Sequence, residues 1–284
     1  MKKPDVITTI PGLRAEVAKW RREGHGVGLV PTMGALHAGH LSLIANAKRR
    51  AARVIVSIFV NPTQFAPHED FDRYPRDLAR DLACLGEQGV TDLVFAPSIG
   101  EFYPEGFATK IELAGPALGL EADFRPHFFS GVATIVAKLL IATNPHVAVF
   151  GEKDYQQLLV IRRLVRDLGL DIEIVGAPIM REPDGLAMSS RNAYLDPRER
   201  QVAAQLNRVL ADVAARVRDG SAISAAEKSG ADALGAAGFN SVDYVALRDA
   251  NTLAKIEHPA VQMRVLAAAT IGKTRLIDNL AVNP

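Results

Sequence analysis

The chain has 284 residues, 48 % of them hydrophobic and 23 % charged, with a formal net charge of +1, as expected of a globular protein with one large or two medium domains. This charge argues against a nucleic-acid or membrane-surface partner, and the single cysteine, Cys84, excludes an internal disulfide and is typical of a reducing compartment. The longest apolar stretch, residues 132–142, is too short to span a bilayer and no signal-like apolar core follows Met1, so we expect a cytoplasmic protein.

Strand-like and helix-like segments alternate through the first part of the chain. The predicted strands are residues 27–30, 54–60, 93–95, 147–150 and 172–175, and the predicted helices are residues 41–50, 76–88, 132–142 and 155–168. Gly89 and Gly169 occupy expected helix-stop positions. Repeated βα units predict an α/β fold, a Rossmann-like doubly wound parallel sheet covered by helices on both faces.

The pattern changes near residue 180. Residues 181–185 have turn chemistry, and they are followed by predicted helices at 197–219 and 225–237 and predicted strands at 242–247 and 265–271. We therefore predict two domains, a Rossmann-like domain over residues 1–181 and a smaller α+β domain over residues 182–284.

The most informative motif is His37-Ala38-Gly39-His40, which lies where the first predicted strand hands over to a helix. In an open parallel sheet, ligands bind at the carboxyl ends of strands, and the first turn of a helix offers N–H groups to anions. Imidazoles placed there can contact a phosphate, and glycines let the backbone approach it closely. Two alternatives stay open at this point, a helix cap with a surface histidine and a zinc site, although the sequence offers no nearby third ligand.

Three further polar clusters follow predicted strands or lie at the domain junction. Asn61 and Gln64 could hydrogen-bond a small polar substrate, or their amides could simply stabilise a loop. In residues 151–157, Lys153 suits phosphate oxygens and Asp154 resembles a helix cap, so an ordinary capped helix start is the alternative. Residues 188–191, Met-Ser-Ser-Arg, suit a triphosphate because arginine binds phosphate as a planar fork, although a solvated hinge loop would look alike.

These segments resemble the pantothenate synthetase (pantoate–β-alanine ligase) family of the HxGH-containing nucleotidyltransferase superfamily. The resemblance rests on residues 31–40, 61–65, 74–76, 151–157 and 188–192, in order and at family-like spacing, and it is weak over the last hundred residues. It implies condensation of pantoate with β-alanine through a pantoyl adenylate, with release of AMP and pyrophosphate.

The resemblance also implies roles for individual residues. His40 is the proton donor, His37 contacts the phosphates of ATP, Lys153 and Arg191 complete the catalytic set, and Gln64, Gln157 and Asn61 serve pantoate or β-alanine. The implied ATP-binding residues are Met33, Gly34, Ala35, Leu36, His37, Ala38, Gly39, His40, Gly151, Glu152, Lys153, Asp154, Met180, Met188, Ser189, Ser190 and Arg191.

Family members are homodimers that use Mg²⁺ with ATP. The sequence departs from the family at two places. In Arg125-Pro126-His127-Phe128-Phe129 the histidine is displaced by one position, so its role is not carried over, and Arg80 precedes Asp81 where some members have consecutive acids. Asp81 is thus the one expected neighbour of the metal.

Water would hydrolyse the mixed anhydride, so the second domain and its Ser-Ser-Arg loop are expected to act as a lid. The main alternative function is a nucleotidyltransferase that moves AMP or CMP onto a small phosphate compound. A nucleotide sensor without turnover is a further alternative, and a tRNA-charging enzyme is disfavoured by the short chain and near-zero charge.

Overall fold

A computed structural model describes residues 3–67, 69–258 and 262–282. The chain divides into two compact units. The first comprises the described residues up to Leu113 together with Arg125–Glu152 and Val160–Pro178, and the second comprises Ala114–Phe124, Lys153–Leu159 and the described residues from Ile179 onward. The main change of unit falls close to the predicted boundary, but two short earlier segments also belong to the second unit.

The first unit is built on a six-stranded parallel sheet flanked by helices, which confirms the predicted fold class. Its strands are β1 (Asp5–Ile7), β2 (Val27–Thr32), β3 (Arg53–Ile58), β4 (Leu93–Phe95), β5 (Val147–Gly151) and β6 (Glu173–Ala177). The helices up to residue 167 are α1 (Ile10–Arg22), α2 (Ala38–Lys48), α3 (Leu78–Gln88), α4 (Ile99–Phe102), α5 (Glu121–Phe124), α6 (Phe128–Thr143) and α7 (Tyr155–Asp167).

The strand order is β1-β4-β3-β2-β5-β6, so the order reverses between β2 and β5. These two strands are paired in parallel, with Gly28 opposite Val147 and Leu29 opposite Ala148. In open α/β sheets the ligand crevice lies outside the carboxyl ends of the strands at such a reversal. The topology therefore directs attention to the residues that follow Thr32 and Gly151.

Apolar side chains explain why these segments pack as they do. The core includes Val30, Ile44, Val56, Val94 and Val149, all fully buried. Helix α6 is apolar on nearly all sides and buried along most of its length, as expected of a helix enclosed within a fold. The expected stops are present, because α3 ends at Gly89 with φ 69° and Gly169 follows α7 with φ 61°.

The second unit contains a three-stranded antiparallel sheet, and its helices after residue 196 are α8 (Pro197–Ala203), α9 (Gln205–Arg218) and α10 (Ile223–Ala237). Its strands are β7 (Ser241–Asp249), β8 (Met263–Ile271) and β9 (Thr274–Val282). The single helix predicted over residues 197–219 is in fact two helices that meet at Ala204, and β9 was not predicted. Across the described ranges, no helix is both long and apolar enough to cross a membrane.

Candidate functional site

The segment after β2 makes a tight turn before α2. The Thr32 hydroxyl donates to the Ser57 carbonyl at 2.8 Å and accepts from the Gly34 N–H at 3.2 Å. Gly34 (φ 82°) and Ala35 (φ 50°) both adopt left-handed backbone conformations, which an alanine rarely takes. The turn brings the chain to His37 as the residue that caps α2.

The two histidines of the motif form a reciprocal capping box at the start of α2. Nδ1 of His37 accepts from the Gly39 N–H at 3.1 Å, and Nδ1 of His40 accepts a long hydrogen bond from the His37 N–H at 3.4 Å. Their ring centroids lie 4.1 Å apart. Because each Nδ1 is an acceptor, the proton of a neutral imidazole resides on Nε2 in both rings. The two histidines therefore do cap the helix, as the alternative interpretation expects. The same hydrogen bonds define which nitrogen of each neutral imidazole carries the proton.

Asp81 holds the turn that precedes these histidines. Its carboxylate lies near the start of α3, is 2 % exposed, and accepts from the N–H groups of Ala35 at 3.0 Å and Leu36 at 2.8 Å. Burial raises the pKa of Asp81 above its ordinary value, and the two N–H donors oppose that shift.

The structure does not fit Asp81 to its expected role beside Mg²⁺. Both of its oxygens already accept from backbone N–H groups, and the side chain is too deeply buried to offer an open coordination position. Within the described ranges, no group of three or more histidine, cysteine, aspartate or glutamate side chains could hold a metal ion. In this structure the Asp81 carboxylate is therefore committed to the protein backbone.

The turn after β3 is built around the side chain of Asn61, which is 1 % exposed. Its amide nitrogen donates to Gln64 Oε1 at 2.9 Å and to the Gly131 carbonyl at 3.2 Å. Its oxygen accepts from the hydroxyls of Thr63 at 3.0 Å and Tyr103 at 2.7 Å. With every donor and acceptor used and almost no exposed surface, Asn61 stabilises the turn, and its contact with a substrate stays a prediction.

Gln64 closes the short 3₁₀ turn Pro62–Gln64, and its main chain is held by Arg125. Arg125 donates to the Gln64 carbonyl at 3.0 Å and forms a two-point ion pair with Glu69, with both distances 2.7 Å. Its guanidinium also stacks 3.9 Å from the centre of the Phe128 ring. In the displaced segment that departs from the family, Arg125 thus supports the Gln64 turn, while the buried Nε2 of His127 makes no hydrogen bond to any described residue.

Lys153 follows β5 in the short 3₁₀ turn Glu152–Asp154, where the sequence places it. Its carbonyl accepts from the side-chain amide of Asn279 at 2.9 Å, a residue of β9 that is 2 % exposed. The amide oxygen of Asn279 accepts in turn from Arg264 at 2.7 Å, and the Arg264 guanidinium lies over the Tyr155 ring at 3.8 Å. The backbone at Lys153 is therefore held by the antiparallel sheet of the second unit.

Two neighbouring glutamines in the first turn of α7 differ in burial. Gln156 is 3 % exposed, accepts from the Glu121 N–H at 3.1 Å and donates to the carbonyls of Pro116 and Gly119, both at 3.0 Å. Gln157 is only half-buried. Gln156 is thus used inside the protein, and the assignment of Gln157 to the substrate stays a prediction.

Residues 180–188 form a hairpin that joins two parts of the predicted nucleotide site. The Met188 N–H donates to the Met180 carbonyl at 2.9 Å, and Arg181 pairs with Ala187 across the hairpin. Arg181 also binds Asp278 at two points, 2.7 and 2.9 Å. Met180 and Met188, two predicted residues of the nucleotide site, are thus neighbours across the hairpin.

Ser189 and Asp278, which adjoin or bind this hairpin, each accept a further backbone hydrogen bond. The Ser189 hydroxyl accepts from the Arg191 N–H at 3.3 Å and caps the 3₁₀ helix Ser190–Tyr194, so Arg191 lies in its first turn. Asp278 also accepts from the N–H of Asn279 at 2.8 Å. Two consecutive residues of β9 therefore hold the hairpin and Lys153.

The first unit holds residues 33–40, Asn61, Gln64, Gly151 and Glu152, and the second holds Lys153, Asp154, Gln157, Met180 and residues 188–191. Sequence reasoning did not find the supporting residues Arg125, Tyr103, Asp278 and Asn279. The one available signal was the polar pair Asp278-Asn279 inside an otherwise apolar terminal segment.

Comparisons with known proteins give a consistent result. The sequence profile of the family described as Pantoate-beta-alanine ligase matches residues 5–281. The chain is 56 % identical over 282 residues to "Pantothenate synthetase" of Mesorhizobium japonicum, covering 99 % of both chains. It is 53 % identical over 285 residues to the protein of that name from Rhodopseudomonas palustris, covering 99 % of this chain and 100 % of the relative.

Solved structures of similar proteins share the whole fold. A pantothenate synthetase from Thermus thermophilus has a TM-score of 0.92 and 47 % identity, covering 99 % of this chain and 100 % of the other. A pantoate–β-alanine ligase from Francisella tularensis, complexed with "Beta-gamma ATP and Beta-alanine", has a TM-score of 0.83 and 34 % identity, covering 98 % of this chain and 97 % of the other.

Proposed function

The chain belongs to the pantoate–β-alanine ligase family, and from this membership we propose how the residues of its candidate site act. The protein is an ATP-dependent acid–amino-acid ligase that condenses pantoate with β-alanine to pantothenate and releases AMP and pyrophosphate. The observation that carries the assignment of roles is the imidazole pair at the start of α2, whose Nδ1 atoms are both held by backbone N–H groups.

In the first step, a carboxylate oxygen of pantoate attacks the α-phosphorus of ATP. The bond from that phosphorus to the bridging oxygen breaks, pyrophosphate leaves, and pantoyl adenylate forms. His37 and His40 present Nε2–H groups, which suit phosphate oxygens that gain negative charge, and His40 as the proton donor gives its Nε2–H in a hydrogen bond to an oxygen of the leaving pyrophosphate. Residues 33–39 line the nucleotide, where the tight turn lets the backbone approach it.

In the second step, the amine of β-alanine attacks the acyl carbon, and AMP leaves with the electron pair of the broken bond. No covalent bond to the protein is needed, so catalysis consists of positioning and charge stabilisation. Lys153 and Arg191 provide positive charge for the phosphates, one as a compact ammonium and the other as a planar fork.

The remaining predicted residues have binding roles. Gln64 and Gln157 hydrogen-bond pantoate, and Gln64 helps to define the β-alanine position. Gly151 and Glu152, which precede Lys153 in the sequence, bind ATP, and so does Asp154, which follows it. Met180, Met188, Ser189 and Ser190 complete the nucleotide site, an assignment supported by the hairpin that makes the two methionines neighbours.

Three finer statements belong to the same proposal. Mg²⁺ would be held by the phosphates of ATP, where it would supply charge neutralisation. The protein acts as a homodimer, as the family resemblance implies. It works in the cytoplasm, for which its single cysteine and its biosynthetic activity are the supporting observations.

One assay tests the function against its alternatives. Purified protein is supplied with MgATP, pantoate and β-alanine, and the products are identified by mass spectrometry and enzyme-coupled detection. The proposal expects pantothenate, AMP and pyrophosphate, with AMP formed only when pantoate is present. Formation of ADP, or an absence of turnover, would reject it, and a dinucleotide-like product without free AMP would identify a nucleotidyltransferase instead.

A further inference from the structure

Asp81 has an unusual environment for a carboxylate in the middle of a fold. It is 2 % exposed and, among the described residues, it makes no ion pair. Its hydrogen-bond donors are the backbone N–H groups of Ala35 and Leu36, which lie 46 and 45 residues earlier in the chain. A buried charge with no cationic partner is costly to keep, so its contacts with this one turn need a reason.

The turn that Asp81 holds has a backbone that would not persist by itself. Gly34 and Ala35 are consecutive left-handed residues, with φ of 82° and 50°. A glycine adopts this conformation readily, but an alanine keeps it only where the surroundings enforce it. A Cβ at Gly34 would lie 2.8 Å from Oδ2 of Asp81, so the carboxylate also requires glycine at that position.

The held turn leads directly into the capping box. Leu36, whose N–H is bound by Asp81, is 5 % exposed and packs in the core, and the next residue is His37. His37 in turn contacts His40, because the His37 N–H donates a long hydrogen bond of 3.4 Å to the His40 ring. An unbroken chain of contacts therefore runs from Asp81 through two backbone N–H groups to both imidazoles.

We infer that Asp81 is a positioning residue for the His37–His40 pair and that it acts through the backbone of Ala35 and Leu36. The inference rests on the proposed function, because it assigns the histidines to the reaction. It replaces the interpretation of Asp81 as a neighbour of Mg²⁺. The carboxylate does not touch substrate, and its effect on the reaction passes entirely through the geometry of the two rings.

The test uses Asp81→Asn in the full-length protein. The asparagine keeps the size of the side chain but turns one acceptor into a donor that faces a backbone N–H. We expect kcat to fall by about tenfold to a hundredfold, the effect of displacing catalytic groups by about 1 Å. We expect the Mg²⁺ concentration for half-maximal rate to be unchanged.

The matched control is Asp77→Asn, which changes an exposed carboxylate at the N-cap of the same helix. It should leave kcat within about twofold of the wild type.

A double-mutant cycle with His40→Ala separates positioning from general loss of structure. If Asp81 acts through the histidines, Asp81→Asn should add less than about twofold to the loss already caused by His40→Ala. Equal losses in both backgrounds would overturn the inference, and so would a shift of the Mg²⁺ half-saturation concentration in Asp81→Asn.

A second variant covers the case in which Asp81→Asn does not fold. Gly34→Ala keeps the carboxylate and displaces the same turn, so it should show the same fall in kcat and the same non-additivity with His40→Ala. Wild-type kcat in a folded Gly34→Ala protein would contradict the inference. Failure of the wild-type protein to form pantothenate would instead count against the proposed function, so the two failures can be told apart.

Discussion

The contact between helix α6 and the Asn61–Gln64 turn can be tested by adding one methyl group. Gly131 lies in α6 directly against the turn, and its carbonyl accepts from the Asn61 amide at 3.2 Å. A Cβ at this position would lie 2.7 Å from the Thr63 carbonyl carbon and closer still to the carbonyl oxygen, where ordinary contact begins at 3.4 Å. Because the obstacle is backbone, no side-chain rotation can relieve the overlap.

The structure sets the size of the effect of Gly131→Ala. The turn must move by about 1 Å, and overpacking of this kind costs about 1–3 kcal/mol of unfolding free energy. At about 2 kcal/mol, the Tm should fall by roughly 4–8 °C. The same movement displaces Gln64, so kcat/KM for pantoate should fall by about a hundredfold. The KM for ATP should change much less, because none of the residues assigned to ATP lies in this turn.

The assay measures initial rates of AMP formation with pantoate varied at saturating MgATP and β-alanine, alongside thermal unfolding. Gly235→Ala is the matched control, because Gly235 is also a helical glycine but a Cβ there would meet no atom within 4 Å. The control should be neutral or more stable by up to about 1 kcal/mol. A folded Gly131→Ala protein with wild-type kcat/KM for pantoate would refute the reasoning, and a loss confined to the KM for ATP would do the same.

Four other substitutions test separate parts of the structure. His40→Ala and Lys153→Ala should each lower kcat by about 10²–10³ with an unchanged circular-dichroism spectrum, as expected for loss of one charge-stabilising group, and near-normal turnover would remove that residue from the mechanism. Asn279→Asp removes the donor to the Lys153 carbonyl and leaves that buried carbonyl facing a carboxylate, so Tm should fall and kcat/KM for ATP should fall about tenfold, and a drop in Tm without a kinetic change would show that this bond serves stability alone. Burial, and then the Glu121 carboxylate, raise the pKa of Tyr244 well above its ordinary value of 10, so the wild-type Tm should fall as pH rises above about 10, where the unfolded chain ionises first. Tyr244→Phe should show a shallower fall over the same pH range, and parallel Tm curves would contradict this assignment of the alkaline limb.

The sequence by itself determined the features that depend on local order along the chain. Apolar periodicity and glycine stops predicted the alternating strands and helices, and the His-x-Gly-His motif was located correctly where the chain passes from β2 into the first turn of α2. Such signals are local because a helix or a buried strand requires its pattern of side chains within a few turns or residues. The turn at residues 181–185 also agrees with the structure for this reason.

Only the tertiary structure decided which polar side chains form their hydrogen bonds within the protein. Asn61 looks like a substrate-binding amide in the sequence, but four partners and burial make it the centre of a turn. Asp81 looks like a metal neighbour, but its two oxygens hold a turn more than forty residues away. Asn279 is marked in the sequence only as one of two polar residues in an apolar segment, yet it binds the Lys153 carbonyl across 126 positions of the chain. These roles depend on which strands and helices pack together, and no local pattern records a contact between residues so far apart in sequence.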